Sequence, residues 1–276
     1  MKKSLKQTIA FICALTLTAA PLTLSSHSLS AFAKETVTVQ SESGEVTQEQ
    51  IEKNIIGTWV LAETDGQPAL TNDRSVFTIV SPTEAYSSVS RLNAQGSPWH
   101  SHTECDITID GNVVTITNHT ESGTTIEHQF AITEISADSF TANRTFTRSS
   151  KNAEPRVTED VVTFVKAEEN AEIVFGTWQG VCTSGEYEFD DGNEHRWEYK
   201  PDGTYVYYDK KGDTWVPVDS ANCEYFVAGN LMFTRWFDQD GKEYREQWEF
   251  TVENGKLSWT ALRANEDGSL IQQHSR

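Results

Sequence analysis

Ile55-Ile56-Gly57-Thr58-Trp59 occurs a second time, as Val174-Phe175-Gly176-Thr177-Trp178. Each occurrence ends an acidic, helix-prone lead-in and opens a long run of short β segments. A chain that repeats its entry motif in this way is constrained to two copies of one small β module. The spacing leaves each copy enough residues for a domain of ordinary size.

The N-terminus reads as a targeting segment. Lys2, Lys3 and Lys6 precede an apolar stretch from Ile9 to Leu24, and Ala31-Phe32-Ala33 supplies small residues at a cleavage point. Residues 1–33 are therefore expected to be a signal peptide. The product would be exported, to a periplasm, a cell surface or the medium. The apolar run is too short and too interrupted for a comfortable span, so no membrane insertion is expected. The formal net charge is −19, and removal of the basic leader makes it more negative. Such a surface repels nucleic acid, whose binding depends on clustered Lys and Arg.

Cys105, Cys182 and Cys223 remain after processing. Export permits a disulfide, and Cys182 with Cys223, which share the second copy, are the expected pair. Cys105 is left over.

Residues 34–50 read as a flexible leader without apolar periodicity. Thr47, with Gln50 three residues on, marks a helix start just before the first copy. Residues 51–167 and 171–276 are the two expected domains. In the first, Ser75–Val80, Ala85–Arg91, Asp106–Ile109, Val113–Thr117, Ile126–Ile135, Ser139–Arg148 and Thr158–Val165 alternate as strands. Asp110-Gly111-Asn112 is the clearest hairpin turn. In the second, Lys200-Pro201-Asp202-Gly203 joins Trp197–Tyr199 to Thr204–Tyr208. The fold class is all-β: two consecutive antiparallel barrels, each preceded by a short helical turn.

With these elements placed, the chain resembles a tandem of bacterial lipocalin-like domains of the calycin group. The resemblance rests on both Gly-Thr-Trp openings, on Lys200-Pro201-Asp202-Gly203-Thr204-Tyr205, on Tyr225–Leu231 and on Leu257-Ser258-Trp259. Ser81–Tyr86 and Ile135–Phe140 add to it in the first copy. It implies that Gly57 and Gly176 admit the chain close to the barrel. Trp59 and Trp178 would plug the end opposite the mouth, each under a basic side chain from the last strand. Arg263 is the candidate in the second copy; Lys166, Arg144 and Arg148 are all candidates in the first.

Constellations with chemistry are sparse. His100 and His102 would share one face of a strand, and His119 and His128 lie further on, but no third metal ligand is fixed by spacing. No Gly-x-Ser-x-Gly elbow and no phosphate-cradling glycine loop occurs. No metal, cofactor or catalytic set is expected, and the chain does not read as an enzyme.

Six of the eight tryptophans and seven of the eight tyrosines follow residue 171. Alternation turns Trp197, Tyr199, Tyr205 and Tyr207 toward one face, Trp248, Phe250 and Val252 toward another, and Leu231, Phe233, Arg235 and Phe237 toward a third. If these face inward, they line an aromatic pocket with one buried cation, suited to a small hydrophobic or aromatic ligand. The expected site residues are Trp197, Tyr199, Tyr205, Tyr207, Arg235 and Trp248. Rings that simply fill a narrow barrel, giving a structural or surface-interaction module, are the alternative.

Overall fold

The computed structural model describes residues 46–88, 103–120, 122–168, 171–181, 194–218, 221–264 and 269–275, with the backbone alone at 221–222 and 271–275. The expected signal segment, residues 34–45 of the leader, His100, His102 and Cys182 lie outside the described residues. The proposed Cys182–Cys223 disulfide therefore does too.

Thr47 caps helix α1 (Gln48–Asn54) through a capping box. The Thr47 backbone N–H donates to Gln50 Oε1 at 2.8 Å, and the Gln50 N–H donates back to Thr47 Oγ1 at 3.3 Å. This satisfies donors that a helix N-terminus otherwise leaves open. Ile51 and Ile55 turn inward from this segment into the first core.

β1 (Gly57–Thr64) pairs with β3 (Val76–Ser81). The ladder continues through β4 (Glu84–Ser88), β5 (Thr103–Asp110), β6 (Val113–His119), β7 (Thr125–Ile135), β8 (Ser139–Ser150) and β9 (Ala153–Lys166). β9 returns to β1, with Trp59 opposite Lys166, which closes the sheet into an antiparallel barrel. The two-residue β2 (Gln67–Pro68) hangs from the end of β1 outside the ring. Trp59, Phe77, Ile79, Val114, Ile116, Phe130, Ile132, Phe140 and Phe164 fill the inside. Each such buried side chain stabilises by roughly 1.5–3 kcal/mol.

The second copy begins with a 3-10 turn at Ala171–Val174. It then forms two antiparallel sheets rather than one. β10 (Gly176–Val181), β11 (Glu194–Tyr199), β12 (Tyr205–Lys211) and β13 (Thr214–Pro217) make the first. β14 (Ala221–Ala228), β15 (Leu231–Phe237), β16 (Glu243–Glu253), β17 (Lys256–Ala264) and β18 (Leu270–Ser275) make the second. They meet at a bridge between Thr204 and Glu224 and at the Tyr225 N–H, which donates to the Gly203 carbonyl at 2.8 Å. Among the described residues no ladder joins β10 to β18.

The outer face of β15 and β16 rests on the first copy. Leu231 and Phe233 share a buried cluster with Val60 and Val76. Beside it, Glu249 accepts from Thr71 Oγ1 at 3.0 Å and pairs with Arg74 at 3.0 Å. The Leu262 N–H donates to Thr71 Oγ1 at 2.8 Å.

Candidate functional site

The two tryptophans of the repeated motif sit alike. Trp59 donates its indole N–H to the Ile55 carbonyl at 2.6 Å, and Trp178 donates to Val174 at 2.7 Å. Lys166 lies over the Trp59 ring, its Nζ 5.2 Å from the centroid. Lys166 is thus the cation in the first copy. Arg144 is instead bound bidentately to Asp160, at 2.8 and 2.5 Å. In the second copy Arg263 lies over Trp248, 5.5 Å from its centroid, and donates to the Gln247 carbonyl at 2.8 Å. The resemblance had placed it over Trp178.

Around Trp59 the first barrel is full. The void bounded by Ile55, Trp59, Phe77, Val114, Phe130 and Phe140 measures about 10 Å³, no more than one water needs. The plug half of this barrel is packing.

The inside of the second copy is aromatic. Trp178, Trp197 and Tyr207 face one another along β10, β11 and β12, as do Tyr199 and Tyr205 one step on. Trp197 meets Trp259 edge-on at 4.8 Å, and Tyr199 meets Tyr225 at 4.9 Å. Trp248, Phe250 and Val252 of β16 complete the cluster. Five of the six expected ligand residues therefore share this interior: Trp197, Tyr199, Tyr205, Tyr207 and Trp248.

Arg235 does not. It lies on the outer face of β15, where its Nε donates to Glu224 at 3.0 Å and its guanidinium lies 5.4 Å from the Phe237 ring. The interior guanidinium is therefore not Arg235 but Arg263, over inward-facing Trp248, and a carboxyl accompanies it. Residues opposite one another in the β15–β16 ladder share a face, and the inner pairs are Met232–Trp248, Thr234–Glu246 and Trp236–Tyr244.

Glu246 is the polar centre of this interior. Part of the residue reaches the surface, but burial of its carboxyl pushes its pKa above the ordinary carboxylate range. The Trp248 indole N–H, 2.9 Å from Oε2, and the Arg263 charge only partly oppose that rise. Burial likewise holds the Tyr199 and Tyr205 hydroxyls well above their usual range, and the Glu246 charge adds to both. Nearby, His195 Nδ1 is hydrogen-bonded to the Tyr207 hydroxyl. The Trp259 indole N–H is buried with no protein acceptor among the described residues. The site thus offers flat rings, one carboxyl held toward its neutral form, one guanidinium and one open donor.

Glu246 escaped the sequence reading because it sits in a polar run, Arg245-Glu246-Gln247, that resembles a solvated face. A signal for it existed. The turns Gly111-Asn112 and Gly229-Asn230 are equivalent: Asn112 accepts from the Ile132 N–H and Asn230 from the Phe250 N–H, both at 2.8 Å. The constant offset they define carries Cys105 to Cys223, Phe130 to Trp248, and the inward-facing His128 to Glu246.

The candidate metal ligands His119 and His128 do not converge. His119 is exposed and 3.2 Å from Asp106, while His128 points into the barrel. No group of three or more metal-ligating side chains occurs among the described residues. No helix among them is long and apolar enough to cross a membrane. No protein-family model, no curated protein and no solved structure matches this chain.

Proposed function

We propose that this chain is an exported, non-catalytic binding protein of lipocalin-like tandem build. Its second copy takes a small, largely apolar or aromatic ligand among its inner-face rings. One observation carries the reading: Glu246, Arg263 and the open Trp259 N–H are set inside a cage of Trp197, Tyr199, Tyr205, Tyr207 and Trp248. Buried polar groups are costly unless paired. A few of them in an aromatic interior suit a ligand with a flat apolar body and one polar edge.

The test is tryptophan fluorescence during titration with the neutral dye Nile red. The expected result is a saturable change that Trp248→Ala removes while far-ultraviolet circular dichroism stays unchanged. A dye that never enters, together with an interior seen solid at atomic resolution, overturns the proposal.

A second reading, a structural or surface-interaction module, draws on a different face. Val157, Val161 and Val165 stand on one side of β9 at 54, 44 and 40% exposure. Replacing all three by Thr would weaken adhesion or self-association under this reading. It would leave dye binding untouched under the first.

A further inference from the structure

We propose a second ligand site inside the first barrel, beyond the Phe77–Phe130–Phe164 layer from Trp59, for a small uncharged ring compound bearing a hydroxyl group. The inner face changes character at that layer. On the Trp59 side it is apolar and full. On the other side β6, β7, β8 and β9 turn Asn118, His128, Arg144 and Asp160 inward.

Two atoms beyond this layer are buried without a protein partner among the described residues: His128 Nδ1 and Asn118 Oδ1. Asn118 spends its amide N–H on Ser87 Oγ at 3.1 Å, which fixes its orientation and leaves the oxygen open. His128 is held by rings on three sides: Phe77 at 5.1 Å, Phe130 at 5.8 Å and Phe146 at 5.0 Å. Its register partner is Ile116, two residues before Asn118 on the neighbouring strand, so both open atoms belong to one patch of the wall. Leaving each unpaired is unfavourable. A ligand that pairs both recovers that cost.

The charge state selects the ligand class. Arg144 is neutralised by its bidentate partner Asp160, the two being 12 and 15% exposed. Burial and the Arg144 charge push His128 down to about 3, so the imidazole is neutral at physiological pH. A net-neutral, ring-walled pocket disfavours both carboxylates and amines. A hydroxyl both donates and accepts, so it satisfies the Asn118 oxygen and either tautomer of His128. Its ring would stack where Phe146 and Phe77 flank the site.

The test is a crystal of the full mature chain soaked in phenol, with benzoate and benzylamine as charged controls, alongside nuclear magnetic resonance titration of the imidazole. The expected result is phenol density contacting His128 and Asn118, a shift of the His128 ring signal, and at least tenfold weaker response to both controls. His128→Phe and Asn118→Leu should each abolish the phenol response while retaining or raising thermal stability, because each removes an unpaired polar group. Ordered water alone at both atoms in soaked crystals, or equal response to all three probes, overturns the proposal. Trp248→Ala, in the other copy, should leave phenol binding intact, which separates this site from the one proposed above.

Discussion

Glu246 stands in the second copy where His128 stands in the first. In the equivalent hairpins, Thr234 faces Glu246 and Ile116 faces His128, and the following inward residues are Trp248 and Phe130. Each copy thus sets one ionisable group beside an aromatic layer with an arginine nearby, Arg263 or Arg144. Burial drives both toward their neutral forms. One is a base and the other an acid, so their effects on stability have opposite signs.

For His128 the folded pKa falls from the ordinary 6.5 to about 3. Between those values the unfolded chain binds the proton and the folded one does not. Stability should therefore be full above pH 6.5 and decline as pH falls toward 3, at roughly 1.4 kcal/mol per pH unit for this single proton. His128→Phe removes the term. Urea midpoints of the two proteins from pH 7.5 to 4.5 should converge in shape only if the histidine is not the cause.

Glu246 runs the other way. Its raised folded pKa means that the native state takes up the proton first, so its contribution increases as pH falls from that value toward the ordinary 4.5. Glu246→Gln keeps an acceptor for the Trp248 indole and discards the buried charge. The variant should be as stable as the parent or more so at pH 8, with the gap closing in acid. A loss above about 1 kcal/mol at pH 8 would show that Arg263 compensates the carboxylate more fully than burial penalises it.

The repeated motif made the entry tryptophans legible, and alternation made legible the set Trp197, Tyr199, Tyr205, Tyr207 and Trp248. Alternation says which residues share a face, however, and not which face is inside. On β15 both faces are buried: Met232 and Thr234 against the second core, Leu231 and Phe233 against the first copy. Arg235 could not be assigned from pattern, because an apolar seam between domains and an apolar interior look the same in sequence. Closure was equally hidden. It depends on whether the first and last strands of a copy pair, as β1 does with β9, which is set across the whole sheet rather than by any local residue.

Gly57 and Gly176 are repeated in sequence but differ in what a side chain would meet. Both hold positive φ, +137° and +112°, so alanine strains either backbone, by roughly 1–3 kcal/mol. At Gly57 a Cβ would also fall 2.3 Å from Lys166 Cε, while nothing lies within 4 Å at Gly176. Gly57→Ala must push Lys166 off the Trp59 ring, adding a cation–π loss of about 0.5–1 kcal/mol. Thermal melts should rank Gly57→Ala below Gly176→Ala, and Lys166→Met should erase most of that difference. Equal melting losses would mean that the lysine contact is immaterial.

Glu249 is the polar anchor of the seam between the copies. It receives Thr71 and Arg74 at once, and Arg74 and Glu249 are only 14 and 20% exposed. Glu249→Ala leaves a largely buried guanidinium without its carboxylate and a hydroxyl without its acceptor, which should cost about 1–3 kcal/mol. Replacing Glu249 by Gln should cost less, since an acceptor remains for Thr71. The loss should also have a spatial signature. Leu231 and Phe233 pack on Val60 and Val76 beside this anchor, so hydrogen exchange should accelerate along β15 and β1 together. Exchange that accelerates in β16 alone would show the two copies to be energetically independent.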